Sequence, residues 1–137
     1  MSEAPPRLRI GIIGAGRVGA VLGAALARSG HLVTGVTAVS DLSRLRAEAL
    51  LPGVPIVDPI DAVSAADLVL VAVPDDVLPG LVTGLSTHAR AGQFWAHPSG
   101  RHGVEVLDPV VHAGAGALAI HPVMTFTGTS VDLARLV

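Results

Sequence analysis

The sequence predicts an α/β domain in which helices cover both faces of a doubly wound parallel sheet of about six strands, giving three layers. Short apolar segments alternate with segments of helical periodicity along the chain. Half of the 137 residues are hydrophobic and only 15% are charged, a composition that suits strands buried on both faces. This length suits one domain, residues 1–137, with a single sheet.

The first half of the chain predicts three strands and three helices. The strands are expected where short runs of aliphatic and β-branched residues occur, at residues 8–13, 31–39 and 54–57. A helix of small residues follows Gly14 and ends at Gly30, which can adopt the left-handed conformation. Ser40 is a candidate N-cap for a second helix. A short third helix is expected over residues 59–66.

The second half continues the same alternation. Further apolar runs predict strands at residues 67–73, 93–97 and 117–120. Asp75 and Asp76 are expected to open a helix towards His88, with their carboxylates at its positive end and a proline in its first turn. A helix over residues 103–112 is interrupted near Pro109. Residues 129–137 are compatible with the start of another helix.

The composition disfavours several classes of function. A net charge of -2, one Trp and no Tyr disfavour nucleic-acid binding. All nine basic residues are Arg, and Cys is absent, so this chain supplies no Schiff-base lysine, thiol nucleophile or cysteine zinc site. Its apolar runs are shorter than a membrane span, so we expect a cytoplasmic protein without membrane contacts.

The segment GAGRVG, residues 14–19, fits the dinucleotide-binding pattern G-x-G-x-x-G. It follows a predicted buried strand and opens a helix, which is the context in which this pattern has a mechanism. Gly14 permits the tight turn, Gly16 lets a pyrophosphate approach the backbone, and Gly19 lets the helix pack on the strand. The alternative is a tight turn without a ligand. We expect a cofactor site formed by Gly14, Ala15, Gly16, Arg17, Val18 and Gly19.

The end of the second predicted strand bears on the choice of cofactor. An acidic residue that holds the adenosine ribose of NAD is expected near position 39, where this chain has Val39. Asp41 comes slightly late and suits the first turn of a helix instead. The segment also offers groups that can surround a 2′-phosphate, namely Thr37, Ser40, Ser43, Arg44 and Arg46. NADP is therefore favoured and NAD remains possible. The alternative is that Arg44 and Arg46 are only solvated charges on the helix.

Polar residues follow the last three predicted strands at their carboxyl ends, where open α/β sheets bind ligands. His97 ends the fifth strand with Ser99 just after it, and His121 ends the sixth. These three side chains are candidate catalytic residues that face a substrate. Pro74 ends the fourth strand and is expected to form a backbone wall where a nicotinamide ribose would lie.

Other interpretations of these residues are weaker. A Ser-His hydrolase is disfavoured because Pro98 precedes Ser99 and the nucleophile elbow G-x-S-x-G is missing. A metal site of His97, His121 and Asp75 lacks the helical H-x-x-x-H spacing, so no metal is expected. The remaining histidines are expected to be structural or solvent-facing: His31, His88, His102 and His112.

With GIIGAGRVG, DLVLVAVPDD, HPSG and IHPVMTF in this order, the chain resembles the N-terminal half of a family of Rossmann-like proteins. In that family a nucleotide-binding domain precedes a helical domain of unknown function. The chain is similar more distantly to pyrroline-5-carboxylate reductase, 6-phosphogluconate dehydrogenase and ketopantoate reductase. The resemblance implies a nicotinamide dinucleotide with its pyrophosphate at the glycine loop and its nicotinamide ribose beside Val73, Pro74 and Asp75. It also implies that the substrate side is lined by His97, Ser99, Gly100, His121 and Pro122.

Two departures from the family pattern matter. Ala38-Val39 stands where the family often has Ser-Arg, and Pro98 replaces a residue with a hydroxyl group. The resemblance also implies that a helical domain, absent from these residues, closes the pocket and builds a homodimer. Two hypotheses follow. One is the cofactor domain of an oxidoreductase acting on a small carbonyl, hydroxy acid or imine, with an incomplete active site; the other is a non-catalytic module that senses a nucleotide.

Overall fold

A parallel five-stranded sheet organises the computed structural model, which describes residues 7–120. Its strands are β1 (Arg9–Ile13), β2 (Leu32–Val36), β3 (Leu68–Val71), β4 (Phe94–His97) and β5 (Gly116–Ala119). They lie in the order β2-β1-β3-β4-β5, and every neighbouring pair is parallel. The predicted doubly wound α/β fold is confirmed.

Helices cover both faces of this sheet. They are α1 (Arg17–Arg28), α2 (Asp41–Leu50), α3 (Pro59–Ser64), α4 (Leu78–Leu85) and α5 (Asp108–His112), with 3-10 turns at Ser86–His88 and Val104–Leu107. Helices α1 and α2 pack over Ile12 and Leu70 on one face. Helices α3, α4 and α5 pack over Val69, Val71 and Trp95 on the other. Each face has its own apolar core because strands buried on both sides offer aliphatic side chains to both.

The chain changes direction across the sheet at β1. Helix α1 leads from β1 to β2 on one side, whereas the segment containing α3 leads from β2 to β3 on the other side of β1. The connections therefore diverge above the carboxyl ends of β1 and β3. Such a switch point leaves a crevice in which open α/β sheets bind ligands.

The prediction of a third sheet strand at residues 54–57 is wrong. Only an isolated bridge forms there, between Ile56 and Val36. The Val36 N–H donates to the Pro55 carbonyl at 3.1 Å, and the Val57 N–H donates to the Val36 carbonyl at 2.9 Å. Pro55 has no N–H with which to extend the ladder, and Pro52 opens the turn that precedes it. The described residues thus form five strands rather than about six.

Helix α4 begins at Leu78, later than the sequence predicts. The Pro74 carbonyl accepts from the N–H groups of Val77 and Leu78, at 2.9 and 3.1 Å, which makes a turn before the helix. Asp75 and Asp76 lie in this turn, so the expectation that they open the helix is wrong.

Other predicted boundaries agree with the structure. Gly30 ends α1 with a φ of +99°, and the Ser40 hydroxyl accepts from the Ser43 N–H at 3.1 Å and caps α2. Within residues 7–120, no helix combines the length and apolarity that a membrane crossing requires. His121, Pro122 and the helix predicted over residues 129–137 lie outside the described residues.

Candidate functional site

The glycine loop joins the ends of three strands. Gly14 has a φ of +98°, and a Cβ at this position would collide with the Ala72 carbonyl oxygen that follows β3. The Gly14 N–H donates to Thr37 Oγ1 at 2.8 Å, which ties the loop to the end of β2. Strand β2 ends at Val36, earlier than predicted. Thr37, the next residue, makes this contact with Gly14. A side chain at Gly14 would therefore be strained and would displace the backbone of a neighbouring strand.

Gly19 and Gly16 have different roles in the same loop. A Cβ on Gly19 would collide with the Gly14 carbonyl oxygen and would lie 2.9 Å from Ala72 Cβ, so only glycine allows this close packing. At Gly16, the nearest atom to such a Cβ is the Ala72 carbonyl oxygen, 4.0 Å away. The space beside Gly16 is therefore open.

The N-terminus of α1 faces this open space with its N–H groups unused by the helix. The first intrahelical bond is donated by the Ala20 N–H to the Gly16 carbonyl at 3.1 Å, and no side chain caps the helix. The earlier N–H groups of the first turn and the positive end of the helix dipole suit an anion. Ala15 is buried beneath the loop, whereas Arg17 is exposed at its rim. The residues present fit a bound pyrophosphate.

A cavity of about 280 Å³ lies between the glycine loop and the carboxyl ends of β3 and β4. It brings together residues that the sequence predicted from three separate segments. Its lining consists of Gly16, Arg17, Val18, Ala72, Val73, Pro74, Asp75, Pro98 and Ser99. We call this cavity the cleft.

Ser99 is tied to Asp75 at the wall of the cleft. Its Oγ donates to Asp75 Oδ1 at 2.7 Å and accepts from the N–H groups of Arg101 and His102 at 3.2 and 3.3 Å. A hydroxyl has one proton and two lone pairs, so all its hydrogen-bonding capacity is used within the protein. No histidine ring among residues 7–120 accepts its proton, so the arrangement is not that of an activated serine nucleophile.

His97 lies beneath the cleft rather than in its lining, and the expectation that its ring faces a substrate is wrong in this structure. The side chain is buried, with 0% of the residue exposed. Its Nδ1 accepts from the Ser99 N–H at 3.1 Å, and its Nε2 lies 2.8 Å from the Gly103 carbonyl oxygen. A carbonyl can only accept, so Nε2 carries the proton. The His97 ring therefore holds the loop that contains Ser99 through hydrogen bonds to two of its backbone groups.

His102 completes this arrangement, although the sequence indicated only a structural or solvent-facing residue. Its Nε2 donates to the Asp75 carbonyl at 2.8 Å, and the residue is half-buried. Asp75 thus receives one hydrogen bond from Ser99 and one from His102. We call Asp75, Ser99 and His102 the clamp, because they fasten the loop after β4 to the turn after β3. The one sequence signal for His102 is its closeness to HPSG.

A second pocket, of about 510 Å³, lies at the carboxyl end of β2. Thr37 and Arg44 line it, as predicted from the sequence, and Val39 is 92% exposed at its edge. Ser40, Ser43 and Arg46 are not among its lining residues, and the hydroxyls of both serines bond to each other and to the backbone at the start of α2. The complete lining is Thr37, Ala38, Val39, Arg44, Ile56, Val57, Asp58, Pro59 and Asp61. We call it the β2 pocket.

Asp58 and Asp61 are the charged residues of the β2 pocket that the sequence did not predict to lie there. Both come from the start of α3, where carboxylates are usual for reasons of helix stability alone. Only the crossover from β2 to β3 brings them opposite Val39 and Arg44.

No group of three or more histidine or carboxylate side chains within residues 7–120 is arranged to hold a metal ion. His121 lies outside the described residues, so its predicted pairing with His97 across the cleft stays a prediction.

A known protein family and several solved structures share this architecture. A family model described as a Rossmann-like domain matches residues 2–122. No curated protein matches the chain. The finer resemblance to pyrroline-5-carboxylate reductase, 6-phosphogluconate dehydrogenase and ketopantoate reductase stays a prediction.

Several solved structures share the fold. Prephenate dehydrogenase from A. aeolicus superimposes with a TM-score of 0.70 at 18% identity, covering 88% of this chain and 43% of that protein. A diketoreductase gives 0.68 at 20% identity, covering 96% and 59%. The 3-hydroxyisobutyrate dehydrogenase of Mycobacterium tuberculosis gives 0.66 at 24% identity, covering 83% and 40%. The chain therefore spans between 40% and 59% of the length of these proteins.

Proposed function

This chain belongs to the Rossmann-like domain family, and from that premise we propose that it binds a nicotinamide dinucleotide as the cofactor domain of an oxidoreductase. The observation that carries the proposal is the uncapped N-terminus of α1, open at Gly16, between the cleft and the β2 pocket. Similar structures with oxidoreductase names support it, and that of prephenate dehydrogenase contains NAD+. The two pockets correspond to the two nucleotide halves of such a ligand.

The glycine loop would hold the pyrophosphate. The N–H groups of Arg17, Val18 and Gly19 belong to the first turn of α1, which leaves them without helical partners. Gly16 lets the phosphates approach, because no side chain fills the space in front of that turn. Gly14 and Gly19 act indirectly, since they allow the turn and the packing that bring α1 to this position.

We assign the adenosine half to the β2 pocket, with NADP favoured over NAD. Arg44 lines this pocket with an exposed guanidinium, which is suited to a 2′-phosphate. Ser40 would act through the backbone, because its hydroxyl caps α2 and so orients the turn from which Arg44 projects. For Ser40 to contact the phosphate directly, its hydroxyl would have to give up the capping hydrogen bond from the Ser43 N–H.

The nicotinamide half would lie in the cleft, where the bound cofactor supplies hydride transfer at C4. Val73 and Pro74 form a wall beside it, and Asp75 presents its carboxylate. Asp75 Oδ1 is taken by Ser99, whereas Oδ2 has no hydrogen-bond partner among residues 7–120 and can accept a ribose hydroxyl. Ser99 can donate to a substrate carbonyl only if its proton rotates away from Asp75.

Within this proposal His97 is a positioning residue. Its two bonds to backbone groups hold the loop that carries Ser99. His121, at the end of the sequence segment IHPVMTF, remains the candidate for protonating or orienting a substrate carbonyl or imine.

Calorimetric titration with NADPH and NADH tests the proposal. We expect binding of at least one of them, and no binding of either at about 1 mM would refute it. Gly16→Asp is the decisive variant: its carboxylate would occupy and repel the pyrophosphate, so affinity should fall about 100-fold or more. An aspartate at this N-cap should leave the stability equal or higher. Gly80→Asp is the matched control, because its Cβ also enters open space but on α4, away from the glycine loop.

The second candidate is a non-catalytic module that binds and senses the nucleotide. It is favoured by the internal use of the Ser99 hydroxyl and the His97 ring, which leaves neither of them free for proton transfer. Assaying oxidation of NADPH with a panel of keto acids and imines separates the two candidates. Turnover lost in Ser99→Ala at a cofactor concentration that still saturates the variant would support the enzyme, and binding by the wild type without any turnover would support the sensor.

A further inference from the structure

The β2 pocket holds three charged side chains that do not neutralise one another. Arg44 comes from α2, and Asp58 and Asp61 come from the start of α3. Within the described part of the chain, the one ion pair joins Arg9 and Asp67 at the opposite edge of the sheet. Asp58 is the N-cap of α3, yet its side chain makes no capping hydrogen bond. Both carboxylates and the guanidinium therefore remain available to a ligand.

We propose that Asp58 and Asp61 are specificity-determining residues that oppose the 2′-phosphate of NADP, so that the preference for NADP over NAD that Arg44 confers is small. The inference rests on the function proposed above and concerns the choice between its two cofactors. Where the sequence pattern calls for an acid at the end of β2, the chain has the exposed Val39. The fold supplies two acids to the same pocket from α3 instead.

The argument is one of charge balance. A 2′-phosphate brings close to two negative charges into a pocket lined by two carboxylates and one guanidinium. Arg44 can pair with the phosphate because no carboxylate among residues 7–120 lies within ion-pairing distance of it. The carboxylates keep their charge when that pair forms, and they repel the phosphate across the pocket.

A ribose with a free 2′-hydroxyl meets no such opposition. It is neutral and can donate to a carboxylate, so the same two residues cost NAD nothing. Attraction by Arg44 and repulsion by the two aspartates thus act on NADP alone. Their near cancellation leaves little discrimination between the two cofactors.

Charge removal without change of shape tests this inference. Asp58→Asn and Asp61→Asn should each tighten NADPH binding about 3- to 10-fold, with the larger gain at low ionic strength. NADH binding should change by less than about twofold, because asparagine still accepts a hydrogen bond. Both positions are exposed, and at the N-cap position 58 asparagine is as favourable as aspartate, so the variants should fold.

Two further variants complete the calorimetric comparison. Arg44→Gln should weaken NADPH binding and leave NADH binding within about twofold, since only the phosphate needs the guanidinium. Glu48→Gln removes one negative charge from an exposed site on α2 outside the pocket, and it should shift neither affinity by more than about twofold.

The outcomes separate the two proposals. If both cofactors bind but the ratio of their affinities is the same in wild type, Asp58→Asn and Asp61→Asn, the specificity inference alone is overturned. It is also overturned if NADH binding weakens more than NADPH binding tightens, which would mean that the carboxylates hold the ribose. If no variant binds either cofactor, the proposed function falls together with the inference that rests on it.

Discussion

Both edges of the sheet carry polar groups, and the two edges use them differently. At the amino edge, Arg9 Nη2 lies 3.1 Å from Asp67 Oδ1, and the Arg9 backbone N–H donates to Asp67 Oδ2 at 2.9 Å. Hydrogen bonds from the Arg9 side chain and backbone lower the pKa of the Asp67 carboxyl from its usual value. Arg90 at the same edge donates to the Ala66 carbonyl at 2.7 Å.

Gln93 shows the same internal use of polar groups in the core beneath that edge. It is 1% exposed, and its Nε2 donates to the carbonyls of Val63 and Ala66 at 2.9 and 3.0 Å. Its Oε1 accepts from Trp95 Nε1 at 2.8 Å. Each of these bonds satisfies a buried group that would otherwise destabilise the fold.

The carboxyl edge leaves comparable groups open. The first-turn N–H groups of α1 have no capping side chain, and Arg44, Asp58 and Asp61 form no ion pair among residues 7–120. Polar groups at the amino edge stabilise the domain, whereas under the proposed function the open groups at the carboxyl edge serve a ligand. Substitutions at the two edges should therefore separate stability from binding.

The largest expected effect on stability lies at the amino edge. Gln93→Ala would remove three hydrogen bonds and leave the buried Trp95 indole N–H without its acceptor, at a cost of about 3 kcal/mol. Urea denaturation would measure the loss. Cofactor affinity, measured where the variant is folded, should stay within about twofold of wild type. A large loss of affinity would contradict the separation of the two edges.

A smaller effect is expected from the clamp, which contributes both to stability and to the wall of the cleft. Ser99→Ala would remove the bond to Asp75 and leave the N–H groups of Arg101 and His102 without their acceptor, costing about 1–3 kcal/mol. Because Asp75 also lines the cleft, NADPH affinity should fall as well, by about 3- to 10-fold. Ser64→Ala, which loses one exposed hydroxyl bond on α3, is the matched control. Equal effects of both variants would argue against the clamp.

The smallest expected effect is a pH-dependent one at the Arg9–Asp67 pair. The folded-state pKa of Asp67 is lowered, so its stabilisation is present above the usual aspartate pKa of about 3.9 and is lost as the pH falls through the lowered value. The Tm of Asp67→Asn should lie slightly below that of wild type at neutral pH, and the two should converge in strong acid. A difference that persists there would show that the pair contributes by something other than charge.

Much of the glycine loop was predictable because its requirements are local. Gly14 and Gly19 must be glycine for reasons of backbone conformation and close packing, and the pattern itself records those requirements. The alternation of apolar runs likewise predicted every strand of the sheet. The error at residues 54–57 had a local cause too, since Pro55 removes a donor from an apolar run that is otherwise typical of a strand.

The histidines were harder because a strand end does not specify which way a side chain turns. His97 was correctly placed at the end of β4, but its ring turns inward to the Ser99 N–H and the Gly103 carbonyl rather than into the cleft. His102 drew little attention in the sequence, and it binds the Asp75 carbonyl across the sheet edge. Hydrogen bonds between distant segments decided both placements.

By itself, the sequence determined that this chain forms a parallel α/β sheet with a glycine loop ahead of its first helix, because hydrophobic periodicity and glycine geometry act over a few residues. Only the tertiary structure decided what surrounds that loop. The crossovers from β2 to β3 and from β3 to β4 brought Asp58 and Asp61 opposite Arg44 and fastened Ser99 to Asp75. Charge balance and hydrogen-bond satisfaction depend on distances in space, which the spacing of residues along the chain does not contain.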